Sequence, residues 1–578
     1  MGCLPLAAAD LHVAIEPRWG HQALIVPSAP VPNDAGQTLR ITRLAALFSS
    51  VSLQRTDGGT VRLDGQYGLV DAGGGRLEFT LRGVPDGAYV GLEFQVGVPA
   101  DVNHTDPGAW AAGHPLNPLV NGLHWSWQGG YVFAALEGNW RDGSEERGFS
   151  YHLATDARLM RVGFRADFSI QGDTTIHLAL NLARVLGSLR LAPTDGSEST
   201  HSGAGDDLAP RLTAAFERAW FWLGAVPAPA RQGATGEVAR QVNRGTGTPL
   251  AFTVPAGFPQ PALPADNPLT VEGVALGAAL FADARLSGAG TQSCASCHRA
   301  ERAFSDTVAL SPGAEGQLGK RNAMPLFNLA WSPNYAWDGL QPRVRDQALA
   351  AWTNPIEMHG DPARVVALLA RDEALAQQFS AVFGTSEITP DRVTRALEQY
   401  LLTLVAADSK FDRAMRGSAE MTAEEKRGFD LFALEYDPVR GQRGADCFHC
   451  HGGALFTDYA VKNNGLDREP ADAGRAGVTG KETDRGKFKT PSLRNVALTA
   501  PYMHDGRFAT LEEVVAHYDH GVQRSANLDP NLAKHPSDGI ALGVDDQKAL
   551  VAFLRALTDE HRYGTGPGKD SQLDRPSP

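Results

Sequence analysis

Between Leu11 and about Leu180 apolar and polar residues alternate in short runs, among them Leu11–Glu16, Ala88–Val96, Gly130–Leu136 and Thr175–Leu180. Glycine, aspartate, asparagine and proline separate these runs, as expected of strands joined by tight turns. The pattern predicts an all-β, sandwich- or barrel-like domain over residues 10–224, closed by a helical stretch near Leu212–Trp222. From Val271 onward the period lengthens to three and four residues. Helices are expected over Val271–Phe281, Pro362–Val382, Pro390–Phe411, Ala423–Phe432, Leu511–Tyr518 and Val544–Leu557. Thr389, Thr422 and Thr510 precede Pro390, Glu424–Glu425 and Glu512–Glu513, which marks them as helix caps. The chain thus reads as multidomain, the β domain being followed by a mainly α domain over residues 267–564. Residues 225–266, rich in Pro, Ala and Gly and without periodicity, read as a linker. Residues 565–578 read as a disordered tail and residues 1–9 as the remnant of a signal.

A chain of 578 residues exceeds what one core holds. The formal charge of -13 argues against nucleic acid or an anionic membrane as partner, and no apolar run is long enough for a transmembrane segment. Four of the five cysteines lie in two motifs, Cys294-Ala-Ser-Cys297-His298 and Cys447-Phe-His-Cys450-His451. A C-x-x-C-H run puts two thiols on one turn, where they form thioethers to a haem, and swings the adjacent histidine beneath the iron. A four-cysteine zinc site is the competing explanation, but it needs no histidine after either pair. Two covalent haem c groups are therefore expected. Such attachment takes place outside the bacterial cytoplasm, so the expected location is periplasmic or cell-surface. The start MGCLPLAAAD reads as the end of a signal peptide, and Gly2-Cys3 alternatively as a lipoprotein cleavage site with Cys3 lipidated.

Beyond the haem motifs, the segments RNAMPLFNLA (321–330), AWDGL (336–340), NPIEM (354–358), KTPSLRNV (489–496) and PYMHDGRFATLEEVV (501–515) resemble the dihaem cytochrome c peroxidase and MauG family over about Asn267–Glu560. The resemblance implies that His298 ligates the first, peroxide-binding haem, with Glu357 as distal acid/base and Gln347 in the distal pocket. It implies that Trp337 lies between the haems, and that Asn322, Thr499 and Pro501 hold a calcium ion through oxygens, as that cation prefers. Ordinary peroxidases block the first iron with a distal histidine, and Ala300–Trp337 contains none. Their second haem takes a methionine fourteen residues after the histidine of P-Y-x-H-D-G; counting from His504 gives Tyr518, and MauG-like enzymes use tyrosine there. His517, His520 and Met503 compete for that role. A phenolate stabilises oxidised iron, which suits a two-iron high-valent state. The proline that MauG carries four residues after its distal glutamine is Ala351 here.

The segments LRITRLAALFSSVSLQ (39–54), VPDGAYVGLEFQVGVPADVNH (84–104) and LHWSWQGGYVFAALEG (123–138) resemble MbnP-type copper-binding proteins over about Leu11–Leu186. Such proteins are often encoded beside a MauG-like partner, MbnH, that oxidises one of their tryptophans to kynurenine. The chain looks like a natural fusion of the two. Imidazole suits copper, which makes His21 and His104 candidate ligands and Trp19, then Trp125 or Trp127, candidates for oxidation; Trp125 and Trp127 are better explained as sandwich-core residues. The expected activity is a hydrogen-peroxide-dependent oxidation of tryptophan in the chain's own N-terminal domain. A peroxide-scavenging peroxidase fed by a small periplasmic electron donor is the alternative, and a non-enzymatic copper carrier a third.

Overall fold

The computed structural model describes residues 8–125, 130–203, 205–228, 247–537 and 539–560. The expected signal remnant (apart from residues 8 and 9), Cys3, Trp127 and the C-terminal tail lie outside them. The chain divides into two compact units.

The first unit is a β sandwich. One sheet has five strands, with Ala8–Trp19 between Thr174–Asn181 and Glu78–Pro85, and Trp220–Pro227 on the far side of Thr174–Asn181. The other has ten, built around Thr38–Arg55, Gly87–Val96, Gly130–Asp142, Glu145–Ala154 and Met160–Ile170. Alternation sends Leu11, Val13 and Ile15 inward. Phe48 of the larger sheet stacks on Phe79 and meets Trp220 edge-on, both from the smaller sheet, so the core lies between the two faces.

The helix expected near Leu212–Trp222 runs instead over Leu208–Glu217, and Trp220–Pro227 is a strand. Three-residue apolar spacing cannot separate these outcomes; pairing with Thr174–Asn181 decides, because it satisfies the backbone of Trp220–Pro227. The expected linker is only partly one in structure. Its first residues finish that strand, and beyond residue 246 Phe258 is buried and Pro259 accepts a hydrogen bond from Trp331 Nε1 (2.6 Å). Residues 229–246 lie outside the described residues.

This unit also contains Leu434–Asp446 and Asp529–Pro536 from far along the chain. The short helix Pro530–Ala533 packs on Glu145–Ala154 so closely that a Cβ on Gly148 would overlap the Pro530 carbonyl.

The second unit is mainly helical. Helices span Val271–Phe281, Val344–Thr353, Pro390–Leu402, Ala423–Ala433 and Val544–Ala556, among others. The single helix expected over Pro362–Val382 is two, Pro362–Leu369 and Glu373–Phe383, because Asp372 caps the second by accepting from Leu375 N. Pro390 opens a helix that stops at Leu402 rather than at Phe411. Leu511–Ala516 is α-helical and continues as a π-helical turn over His517–Gly521, a form that recurs at functional sites. No helix among the described residues is long and apolar enough to cross a membrane.

Candidate haem and metal sites

At the first motif, Cys294–Cys297 form a single helical turn, and His298 directs Nδ1 to the Phe304 carbonyl (2.8 Å). Because a carbonyl only accepts, Nδ1 carries the proton and Nε2 keeps its lone pair for iron. Burial holds His298 below its ordinary pKa, which favours this neutral form. A cavity of about 380 Å³ borders the motif, lined by Phe281, Ala295, His298, Arg299, Phe304 and Tyr400.

Burial above all raises the Cys297 thiol pKa, and the charges of Asp306 and Glu357 add to it, which places Glu357 near the same motif. Its side chain is open to solvent on one side and crowded by protein on the others. That crowding raises its pKa, opposed in part by Asn354, whose Nδ2 donates to Oε1 (2.7 Å). A carboxyl whose pKa is raised in this way keeps its proton more readily than a free one, which suits a general acid/base. Gln347 lies half-buried on the helix Val344–Thr353, one turn before Ala351.

Trp337 donates from Nε1 to the Asn322 carbonyl (2.8 Å), and its own carbonyl accepts from Lys489 N (2.7 Å). The amide nitrogen of Asn322 donates to the carbonyls of Val308 and Ala309, which leaves its side-chain oxygen facing another way. Thr499 and Pro501 flank Ala500, whose carbonyl accepts from Arg302.

At the second motif, His451 directs Nδ1 toward the carbonyls of Pro491 (3.1 Å) and Phe456 (3.3 Å), and burial lowers its pKa to about 4. None of the four motif cysteines is in a disulfide. The π-helical turn carries Tyr518 toward the same motif. Burial of its hydroxyl pushes its pKa up to about 12, and it is close enough to Cys450 and Cys447 to feel their charge. Among its competitors, His517 Nε2 meets the Asn464 carbonyl (3.1 Å), and His520 is exposed beside Asp519. Met503 keeps its sulfur nearby, 3.5 Å from Asn464 Nδ2.

In the β unit the expected copper ligands do not converge. His21 is exposed on a turn, and His104 is exposed and paired with Asp156 (3.0 Å). Among the described residues neither joins a group of three side chains able to share an ion. Trp19 sits at a strand end and donates to the Pro32 carbonyl (3.0 Å). Trp125 is placed differently. It faces two imidazoles, His152 (centroids 6.0 Å apart) and His201 (5.8 Å), which lie 4.7 Å from each other. His124, pointing the other way, packs on Tyr131, and burial lowers its pKa to about 4.

Each imidazole of the pair lies against a carboxylate, His152 through a hydrogen bond. His152 Nε2 meets Glu137 (2.9 Å), and His201 Nδ1 meets Glu435 (2.9 Å). Histidines backed by carboxylates in this way are typical metal ligands, since the carboxylate fixes the tautomer and strengthens the donor. Sequence reading missed both. His152 looks like any inward strand residue, and His201 comes from a loop about fifty residues later, so no short spacing announces them.

Residues 271–420 match the family model of the di-haem cytochrome c peroxidases. Over 297 residues the chain is 33% identical to the methylamine utilization protein MauG of Methylophilus methylotrophus, covering 51% of this chain and 84% of that one. The chain belongs to the di-haem cytochrome c peroxidase and MauG family. It is also 33% identical over 322 residues to the cytochrome c551 peroxidase of Nitrosomonas europaea, covering 54% of this chain and 87% of that one. The crystal structure of a MauG-like protein associated with microbial copper homeostasis aligns with a TM-score of 0.51 at 33% identity, over 56% of this chain and 99% of that one. Residues 8–202 match the MbnP family model. A single chain therefore joins an MbnP domain to a dihaem oxidoreductase domain.

Proposed function

We propose that this protein is a peroxide-driven dihaem enzyme that oxidises Trp125 of its own MbnP domain, and that the oxidised domain holds copper at His152 and His201. The observation that carries this reading is the packing of Trp125 against one buried and one half-buried imidazole, His152 and His201, each beside a carboxylate. Oxidation there would add a carbonyl and an aromatic amine beside two nitrogen donors that suit copper.

Two haem c groups would be held by Cys294, Cys297 and His298 and by Cys447, Cys450, His451 and Tyr518, and would supply the redox chemistry that reduces peroxide. Glu357 moves a proton from the near to the far peroxide oxygen so that water leaves as the O–O bond breaks. Gln347, on the helix Val344–Thr353, is the distal glutamine that the family resemblance assigns. Trp337, anchored to the Asn322 carbonyl, carries charge between the two haem segments. Asn322, through its side-chain oxygen, with the carbonyls of Thr499 and Pro501, supplies the hard donors of a calcium site. Conversion of Trp125 consumes two equivalents of peroxide. Two oxygen atoms add as the indole C2–C3 bond breaks, two waters leave, and hydrolysis of the N-formyl product releases formate. The indole need not enter a haem pocket, because electrons leave it by outer-sphere transfer, and fusion keeps it at high effective concentration. The compartment is the periplasm or the cell surface, where haem c is attached.

Peptide mapping of the holoprotein before and after peroxide tests this reading. Kynurenine is expected at Trp125 and absent when Trp125→Phe or Glu357→Gln is treated alike. If every tryptophan of the domain survives while peroxide is consumed, the reading fails. Peroxide scavenging with an external electron donor then replaces it.

A further inference from the structure

Among the described residues one side chain reaches two of the four candidate ligands of the second haem, and its backbone reaches a third. Asn464 Nδ2 lies 3.3 Å from the Tyr518 hydroxyl and 3.5 Å from Met503 Sδ, and its carbonyl meets His517 Nε2 at 3.1 Å. The residue is held firmly. Asn463 Oδ1 accepts from Gly465 N (2.8 Å), and Asn463 Nδ2 reaches Ser525 Oγ (3.3 Å). The Gly465 carbonyl accepts from Gln523 N (2.7 Å). Gly465 has φ +70°, and a Cβ there would press on Val522 and the Gln523 carbonyl. The chain just before, Val461–Lys462, is paired with Phe488–Lys489. The amide is thus presented from a fixed loop, while Tyr518 arrives on a π-helical turn.

We propose that Asn464 is a positioning residue that selects Tyr518 over Met503 as the sixth ligand of the second haem and tunes it by donating a hydrogen bond to its oxygen. This inference rests on the ligation by Tyr518 argued above. An N–H donor stabilises a phenolate strongly, because hydrogen bonds to charged acceptors are about twice as strong as neutral ones, whereas a thioether is a weak acceptor. The same amide therefore discriminates between two ligands that both lie within its reach. By drawing charge from the oxygen it also weakens the phenolate as a donor, so the iron is held less far toward its oxidised state than an unbonded tyrosine would hold it. Engaging His517 at the Asn464 carbonyl keeps the neighbouring imidazole out of the competition.

The test uses the holoprotein in a Met503→Leu background, which leaves tyrosine without its thioether rival. Midpoint potential and low-spin electron paramagnetic resonance g values of the second haem are read, with haem content per chain as the check on folding. Asn464→Leu and the smaller Asn464→Ala are both expected to lower the potential and shift the g values. Asn464→Gln, which keeps an amide donor, returns both toward the parent. With Met503 present, Asn464→Leu is expected to convert part of the low-spin signal to a methionine-ligated form of higher potential. Unchanged potential and g values in both donor-free variants, with haem content intact, would overturn the proposal. An unchanged low-spin spectrum in Tyr518→Phe would instead overturn the ligand reading beneath it, so the two failures are distinguishable.

Discussion

Replacing Glu137 by Gln tests the copper site proposed at His152 and His201. Glu137 is 4% exposed and accepts from His152 Nε2 (2.9 Å), from Arg43 Nη1 (2.7 Å) and from Asn531 Nδ2 (3.3 Å). Because a carboxylate accepts only, His152 carries its proton on Nε2 and offers Nδ1 to a metal. Glutamine keeps the shape but loses the charge and can present an N–H to the ring, which no longer fixes that tautomer. A hydrogen bond to a charged group contributes about 1.5–3 kcal/mol, and loss of a carboxylate behind a metal-bound histidine weakens affinity by roughly 10–100-fold. The expected outcome is a fall in copper affinity of that order after peroxide treatment, read by competition with a chelator of known strength. Arg43 is partly solvated, with 29% of its side chain exposed, so it survives the loss of its partner and the domain stays folded. Kynurenine formation at Trp125 is expected to continue, since Glu137 supports the metal rather than the oxidation. Unchanged affinity in Glu137→Gln, together with a loss in His21→Ala or His104→Ala, would refute the placement and return the site to the surface histidines.

With no histidine in Ala300–Trp337, the diferric protein is expected to show one high-spin and one low-spin haem and to react with peroxide without prior reduction; two low-spin signals and a lag relieved by a reductant would exclude this. Tyr518→Phe should keep both haems attached yet abolish the near-infrared band of the two-iron oxidised state, which ultraviolet–visible–near-infrared spectroscopy after peroxide would report. Burial lowers the His124 pKa from 6.5 to about 4. The unfolded chain therefore binds this proton first, and the associated stability is complete above about pH 6.5 and is lost as pH falls toward 4. The shift corresponds to about 3 kcal/mol, so exchange protection of the strand Gly130–Asp142 should fall across that window, and less steeply in His124→Leu.

How much could be read in advance depended on how far apart the interacting residues lie in the chain. The haem motifs are complete within five residues each, and their chemistry follows from that spacing alone. The caps at Thr389 and Thr510 are equally local, and both accept from the backbone N–H three residues on. Alternation revealed the strands Ala8–Trp19 and Gly87–Val96 because each buries one face. Counting from His504 singles out Tyr518, while the π-helical turn that carries it was not visible in the sequence. By contrast, Trp220–Pro227 became a strand only through pairing with Thr174–Asn181, a partner some forty residues away. The break at Asp372 needed the cap geometry itself.

The sequence by itself determined the covalent chemistry, the class of each domain and the hydrophobic faces that fold them, since these depend on residue type and short-range period. Tertiary structure decided which side chains meet. Loop closure brings His201 and Glu435, more than two hundred residues apart, to 2.9 Å, and sets Trp125 against His152. It leaves the equally plausible His21 and His104 at the surface. It also puts the Asn464 amide within reach of both Tyr518 and Met503. Backbone periodicity constrains where a side chain points along its own element, but a ligand set is made by chain segments whose separation in sequence carries no record of their distance in space.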